Sequence, residues 1–160
     1  MGLRIGYGVD VHRLAKDYSL YIGGLKIEAE NGAVGHSDAD VLIHAICDAM
    51  LGALALRDIG FHFPDNDQKY KGIDSKILLK QVYSKICDYG YKLVNIDSTV
   101  VLEMPKLNPH IPKMQGTLAA VLNVEENQIS IKATTHEKVD SFGESEAIKA
   151  YAVCLLEKNK

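Results

Sequence analysis

Asp10 and His12 stand two residues apart in "VDVH", and further along "GHSDADVLIHAICDA" brings His36, Ser37, Asp38, Asp40, His44 and Asp48 into the start of a helical pattern. In an extended segment, a period of two puts Asp10 and His12 on one face. In the helix, Leu42, Ala45, Ile46, Ala49, Met50 and Ala53 form one stripe at helical spacing. His44 lies off that stripe, between Asp40 and Asp48. Two imidazoles, one carboxylate and an open fourth position make the ligand set of a catalytic zinc site. Asp48 is then placed to orient His44 from behind. The same residues also suit polar loop positions plus a locally satisfied histidine, and three unlinked ligands are a weak signal, so spacing alone leaves both readings open.

Other polar clusters are weaker. Asp58, Asp65 and Asp67 fall in "DIGFHFPDND", where Asp and Asn beside Pro64 suit turns. They equally suit sugar-like hydroxyls or a hard cation such as Mg²⁺. "KATTHEK" puts Thr134, Thr135 and Glu137 at a strand-to-loop edge. Hydroxyls there can donate to phosphate and the carboxylate can hold a divalent cation, or all can be solvated strand-end polars. Lys106 in "EMPKLNP" has the same two readings. His62, His110 and His136 have no spacing that asks for a metal.

The elements that must position these residues follow from pattern. Residues 3–9 read as a strand. "SLYIGGLKIEA" reads as a hairpin around Gly23-Gly24. A helix is expected from Asp38 to about Leu56, a loop over 58–67, and a second helix from Ser75 to a C-terminal Gly90. "LVNIDSTVVL" reads as a strand, 112–122 as a helix and "QISIKATT" as a strand. Ser141 with Glu144 resembles a capping box opening a last helix that ends near Leu156. Strands alternating with helices, interrupted by the hairpin, predict an α+β fold, a two-layer α/β sandwich with helices on one face of a mixed sheet.

The 160 residues suit one domain spanning 1–160. A net charge of −3 gives no basic stripe for nucleic acid or anionic membrane, and no apolar run reaches the length of a membrane span. No signal peptide is legible at the start. Cys47, Cys87 and Cys154 are odd in number, far apart and in apolar helical contexts. They read as reduced core residues of a cytoplasmic protein.

Taken together, "RIGYGVDVHRL", "GGLKI", "GHSDADVLIHAICDAMLGALALRDIGFHFPDND", "KGIDS", "GYKLVNIDSTVV", "PKLNPHIPKM" and "IKATTHEK" closely resemble the 2-C-methyl-D-erythritol 2,4-cyclodiphosphate synthase family, over nearly the full length. The resemblance implies a homotrimer whose subunits carry a mixed four-stranded sheet, helices on one face and a short hairpin. It implies a lyase of the non-mevalonate isoprenoid pathway, in which the 2-phosphate of 4-diphosphocytidyl-2-C-methyl-D-erythritol 2-phosphate attacks the β-phosphorus and CMP leaves. The nucleophile is then part of the substrate, consistent with a chain that shows no nucleophile elbow. Asp10, His12 and His44 would bind Zn²⁺, and Glu137 would hold Mg²⁺ or Mn²⁺ bridging the diphosphate. His36 and Thr135 would stabilise the transition state, and Ser37 and Thr134 would bind phosphate oxygens. Asp58, Ile59, Gly60, Phe63, Asp65 and Asp67 would line the methylerythritol pocket. Leu102, Met104, Pro105, Lys106 and Ala133 would form the cytidine pocket, on a subunit neighbouring the one that supplies the zinc ligands.

One stretch departs from the family pattern. Where "EKLGFTGRGEG" is usual this chain has "EKVDSFGESEA", so Ser141 replaces a Phe and Glu144 an Arg. Those positions in relatives line a trimer-axis cavity that can hold an isoprenoid diphosphate, and a carboxylate there is expected to repel it. His136 stands where Thr is common. A metal-binding module without catalysis, a zinc metallohydrolase and a non-haem iron site share the same ligand types.

Overall fold

The computed structural model describes residues 2–159. A long strand, β1 (Leu3–Ala15), is followed by a hairpin of β2 (Leu20–Ile22) and β3 (Leu25–Ile27), then the short β4 (Gly32–Ala33). Helix α1 (Val41–Ala53), a single turn α2 (Ile59–His62) and helix α3 (Ser75–Asp88) come next. Strand β5 (Tyr91–Val101), helix α4 (Ile111–Leu122), strand β6 (Ile129–Thr134), a single turn α5 (Asp140–Gly143) and strand β7 (Ala147–Lys158) complete the chain. The sheet order is β4-β1-β7-β5-β6, with β5 and β6 parallel and the other pairs antiparallel; the hairpin stands apart. The sheet is mixed, as expected, but has five strands where four were predicted.

The extra order comes from two places. β1 runs on to Ala15 and picks up the two-residue β4 at its end. The last long element is a strand, not the helix predicted to run to Leu156. Its inward residues Ile148, Ala150, Ala152, Cys154 and Leu156 alternate strictly and are buried. The outward Tyr151, Val153 and Leu155 are apolar too, which hides the period of two that marks a half-buried strand. Ser141 and Glu144 form no capping box here; α5 starts after Val139 with no side-chain cap, and Glu144 ends that turn.

α1 packs on the inner face of the sheet with α3 beside it. It begins later than predicted because Asp40 is extended and acts as its N-cap. Leu42, Ile43, Ile46, Met50 and Leu51 are fully buried, each contributing roughly 1.5–3 kcal/mol by leaving water. Cys47 and Cys154 are buried free thiols, but Cys87 is exposed and Cys154 is in a strand, correcting the expectation of three core cysteines in helices. Among the described residues no helix is long and apolar enough to cross a membrane.

Asp40 joins the helix to the hairpin. It is completely buried and accepts N–H bonds from Ile43 (3.0 Å), Gly23 (3.0 Å) and Gly24 (2.7 Å). Both glycines have positive φ, which bends their N–H groups toward one carboxylate at no Cβ cost. Alanine at Asp40 would remove the cap and strand two buried donors. Asp40→Ala is expected to cost about 2–4 kcal/mol and to lower the melting temperature by roughly 5–15 °C. A thermal melt followed by circular dichroism that moves by less than about 2 °C would disprove the clamp.

Candidate functional site

Two glycines set the distance between strand and helix. A Cβ on Gly6 would lie 1.8 Å from Ala49 O, and one on Gly8 would lie 2.0 Å from Ala45 O. Only glycine lets α1 lie directly on the β1 backbone there. Strand and helix run in opposite senses, so the next inward positions, Asp10 and His12, meet the turn of α1 that carries His44.

The three side chains converge. Asp10 Oδ2 lies 2.9 Å from His12 Nε2 and 3.0 Å from His44 Nδ1, and the two ring nitrogens are 3.3 Å apart. His12 Nδ1 is 3.0 Å from Val34 O, a carbonyl that can only accept, so Nδ1 carries the ring hydrogen and the neutral ring turns a lone pair toward Asp10. On His44 the outer nitrogen, Nε2, meets Ser75 Oγ at 2.9 Å and Ser37 Oγ at 3.2 Å, leaving Nδ1 facing Asp10 and His12. Three lone-pair donors thus face one point, which is the chemistry of a divalent cation site. A proton can take the place of the cation, and a ring that gains one turns a donor toward Asp10: burial pushes the Asp10 carboxyl up, but hydrogen bonds and charge from the protonated imidazoles outweigh it and bring it down to about 2. Burial opposes protonation of His12, yet the Asp10 carboxylate wins and raises its pKa.

This triad opens into a cavity of about 530 Å³, lined also by His36, Ser37, Ile59, Gly60, Phe63 and Asp65. Sequence reasoning did not single out Gly35, Tyr70, Ile73 and Leu78, which share that lining. Their apolar or small character reads as core or turn, so no signal was available. Asp58 and Asp67 do not line it. Asp58 Oδ1 caps α2 by accepting Phe61 N–H at 2.9 Å, and Asp67 accepts Lys69 N–H at 3.1 Å. Asp67 still reaches the site by its backbone, whose carbonyl is 3.3 Å from His36 Nε2. Asp48 does not orient His44; its Oδ1 accepts Ile59 N–H at 2.7 Å and ties the Asp58–Phe63 loop to α1.

The second group of expected residues gathers elsewhere. The parallel strands β5 and β6 end side by side, with Val101 opposite Thr134 and Leu102 N–H donating to Thr134 O at 3.0 Å. Beyond their carboxyl ends is a cleft of about 300 Å³ lined by Leu102, Lys106, Ala133, Thr134, Thr135 and Glu137. Crevices at such strand ends are common ligand sites. Met104 is exposed and is not part of that lining. Thr135 Oγ1 donates to Glu137 Oε1 at 2.8 Å. Among the described residues none lines both this cleft and the triad cavity. Ser141 and Glu144 line a third cavity of about 720 Å³, where Arg13 faces the acidic Glu144 and Glu146.

The sequence profile of the YgbB family matches residues 3–157. The chain belongs to the YgbB family. A relative from Porphyromonas gingivalis named 2-C-methyl-D-erythritol 2,4-cyclodiphosphate synthase is 61% identical over 153 residues, covering 96% of this chain and 94% of its own length. One of the same name from Parabacteroides distasonis is 58% identical, covering 99% and 98%. Among solved structures of family members, a CDP-bound cyclodiphosphate synthase superposes with a TM-score of 0.89 at 36% identity, over 96% of this chain and all of that one. The bifunctional IspDF of Campylobacter jejuni gives a TM-score of 0.94 at 39% identity, this chain covering 42% of it.

Proposed function

We infer that this chain catalyses the cyclisation for which its relatives are named. It converts 4-diphosphocytidyl-2-C-methyl-D-erythritol 2-phosphate to the 2,4-cyclodiphosphate and CMP, in the non-mevalonate route to isoprenoid precursors. The observation that carries this reading is the Asp10–His12–His44 convergence at the mouth of a cavity, in a chain so close in sequence to named synthases.

In the reaction, a 2-phosphate oxygen forms a bond to the β-phosphorus while the bond to the α-phosphate oxygen breaks and CMP departs. No protein nucleophile is consumed, so catalysis is positioning plus neutralisation of charge. Asp10, His12 and His44 would hold Zn²⁺, which supplies Lewis-acid polarisation of a β-phosphate oxygen when bound. Glu137 would hold Mg²⁺ or Mn²⁺ against the diphosphate. His36 and Thr135 would donate to the charge that develops on phosphorus, and Ser37 and Thr134 would fix phosphate oxygens. Phe63, Ile59, Gly60 and Asp65 would enclose the methylerythritol carbons, with Asp58 and Asp67 shaping that loop. Leu102, Met104, Pro105 and Ala133 would take the cytosine, with Lys106 at the phosphates.

The separation of the two clefts supports an active site shared between copies, the nucleotide cleft of one against the metal cavity of the next. The outer face of the sheet supports a trimer: Leu3, Ile5, Tyr7, Val9 and Val11 of β1 and Val153 of β7 leave an apolar patch in water, of a kind that marks an interface. A cytoplasmic location suits an enzyme acting on this soluble nucleotide.

The test is product analysis. The protein with Mg²⁺ and the cytidyl substrate is expected to release CMP and the cyclic diphosphate in equal amounts. Linear hydrolysis products would instead identify a metallohydrolase, and bound substrate without turnover would identify a binding module.

A further inference from the structure

The metal reading uses one nitrogen of His44 and leaves the other unexplained. His44 Nε2 points into the protein, 2.9 Å from the hydroxyl of Ser75 in the first turn of α3. Ser75 is completely buried. Its Oγ donates to Asp38 Oδ1, and its backbone N–H donates to Asp38 Oδ2 at 2.9 Å. Asp38 is fixed in turn, since its own N–H donates to Ile73 O at 3.1 Å and its Oδ1 accepts Asp40 N–H at 3.3 Å.

The chain of bonds has one direction. An ionised carboxylate has no hydrogen to give, so the Ser75 hydroxyl must donate to it. The lone pair left on Oγ then accepts from His44, which requires the hydrogen on Nε2. Nδ1 is left bare and turned toward Asp10 and His12. With the hydrogen on Nδ1 instead, it would block the position a metal must take, and the Ser75 lone pair would go unmatched.

We propose that Asp38 and Ser75 are positioning residues that lock His44 in the Nε2–H tautomer and so set the metal affinity of the Asp10–His12–His44 site. This rests on the metal-binding reading of that triad. Outer partners of ligand histidines carry a measurable share of affinity. The negative charge of Asp38, relayed through one hydroxyl, also makes the His44 ring a stronger donor.

The experiment titrates Zn²⁺ against a chromophoric chelator, using the metal-free full chain. Ser75→Ala is expected to weaken zinc binding roughly 10–100-fold, with the fold kept, because alanine is the best helix former and retains the N–H that Asp38 accepts. Asp38→Asn is expected to weaken it by a similar or smaller factor. The double variant is expected to lose no more than Ser75→Ala alone, since both act along one path. Nitrogen-15 imidazole spectra of the metal-free chain are expected to show Nε2–H at His44, and a tautomer mixture in Ser75→Ala. Zinc affinity of Ser75→Ala within about threefold of the parent would overturn the proposal. So would additive losses in the double variant, or a larger loss from Ser37→Ala, whose oxygen is the more distant at 3.2 Å. If the parent chain itself held no Zn²⁺, the metal-binding reading would fall and this inference with it.

Discussion

His44→Ala is expected to lose its zinc and its turnover together. Removing the imidazole leaves Asp10 and His12, two ligands on one strand with nothing opposing them. The loss in affinity should exceed the roughly 100-fold attached to an outer partner. Turnover should fall by at least the roughly 10²–10³-fold that a single preorganised electrostatic contact is worth. The fold should survive, because position 44 is on the open stripe of α1 with Asp48 and Gly52, where alanine favours helix. Metal content after gel filtration and the rate of CMP release read the two effects. A variant that keeps one zinc per chain would refute the ligand assignment.

Ile5→Glu is expected to yield folded monomers without activity. Ile5 is 73% exposed in the single chain, so a carboxylate costs that chain little. In an assembly it would be buried against an apolar neighbour, where an unpaired charge costs several kcal/mol. The neighbours Tyr7 and Tyr151, with rings 6.4 Å apart, and Val153 opposite Tyr7 make the patch continuous across β1 and β7. β5, by contrast, exposes Asp97, paired with Lys132. The variant should sediment as a monomer with its circular dichroism unchanged, and turnover should drop more than about 100-fold, since a lone chain keeps its clefts apart. Full activity in a proven monomer would refute the shared site.

Much of this arrangement was legible beforehand, and the failures have physical causes. The α1 pattern was readable because nearly every position but His44, Asp48 and Gly52 is buried, so chemistry stood out from packing. The β5 and β6 strands were readable from β-branched runs. β7 was misread as a helix because its outward residues are apolar as well as its inward ones, which hides the alternation, and alanines at 147, 150 and 152 add helical propensity. Asp48 was assigned to His44 by helical spacing, but its carboxylate turns to Ile59. The true partner of His44, Ser75, lies on another helix, and one sequence gives no spacing that joins them. For Asp58 and Asp67 residue type left turn chemistry and ligand binding both open, and the structure shows each capping a short helical turn.

The glycine pair at 6 and 8 has a consequence for how this enzyme can change. Because α1 lies on bare backbone there, the bite of the metal grip is gauged by the seam between helix and strand. Any side chain added at either position would prise the seam apart and carry His44 away from Asp10 and His12. Packing and catalysis are therefore one trait in this molecule, and drift in the interior is felt first at the metal.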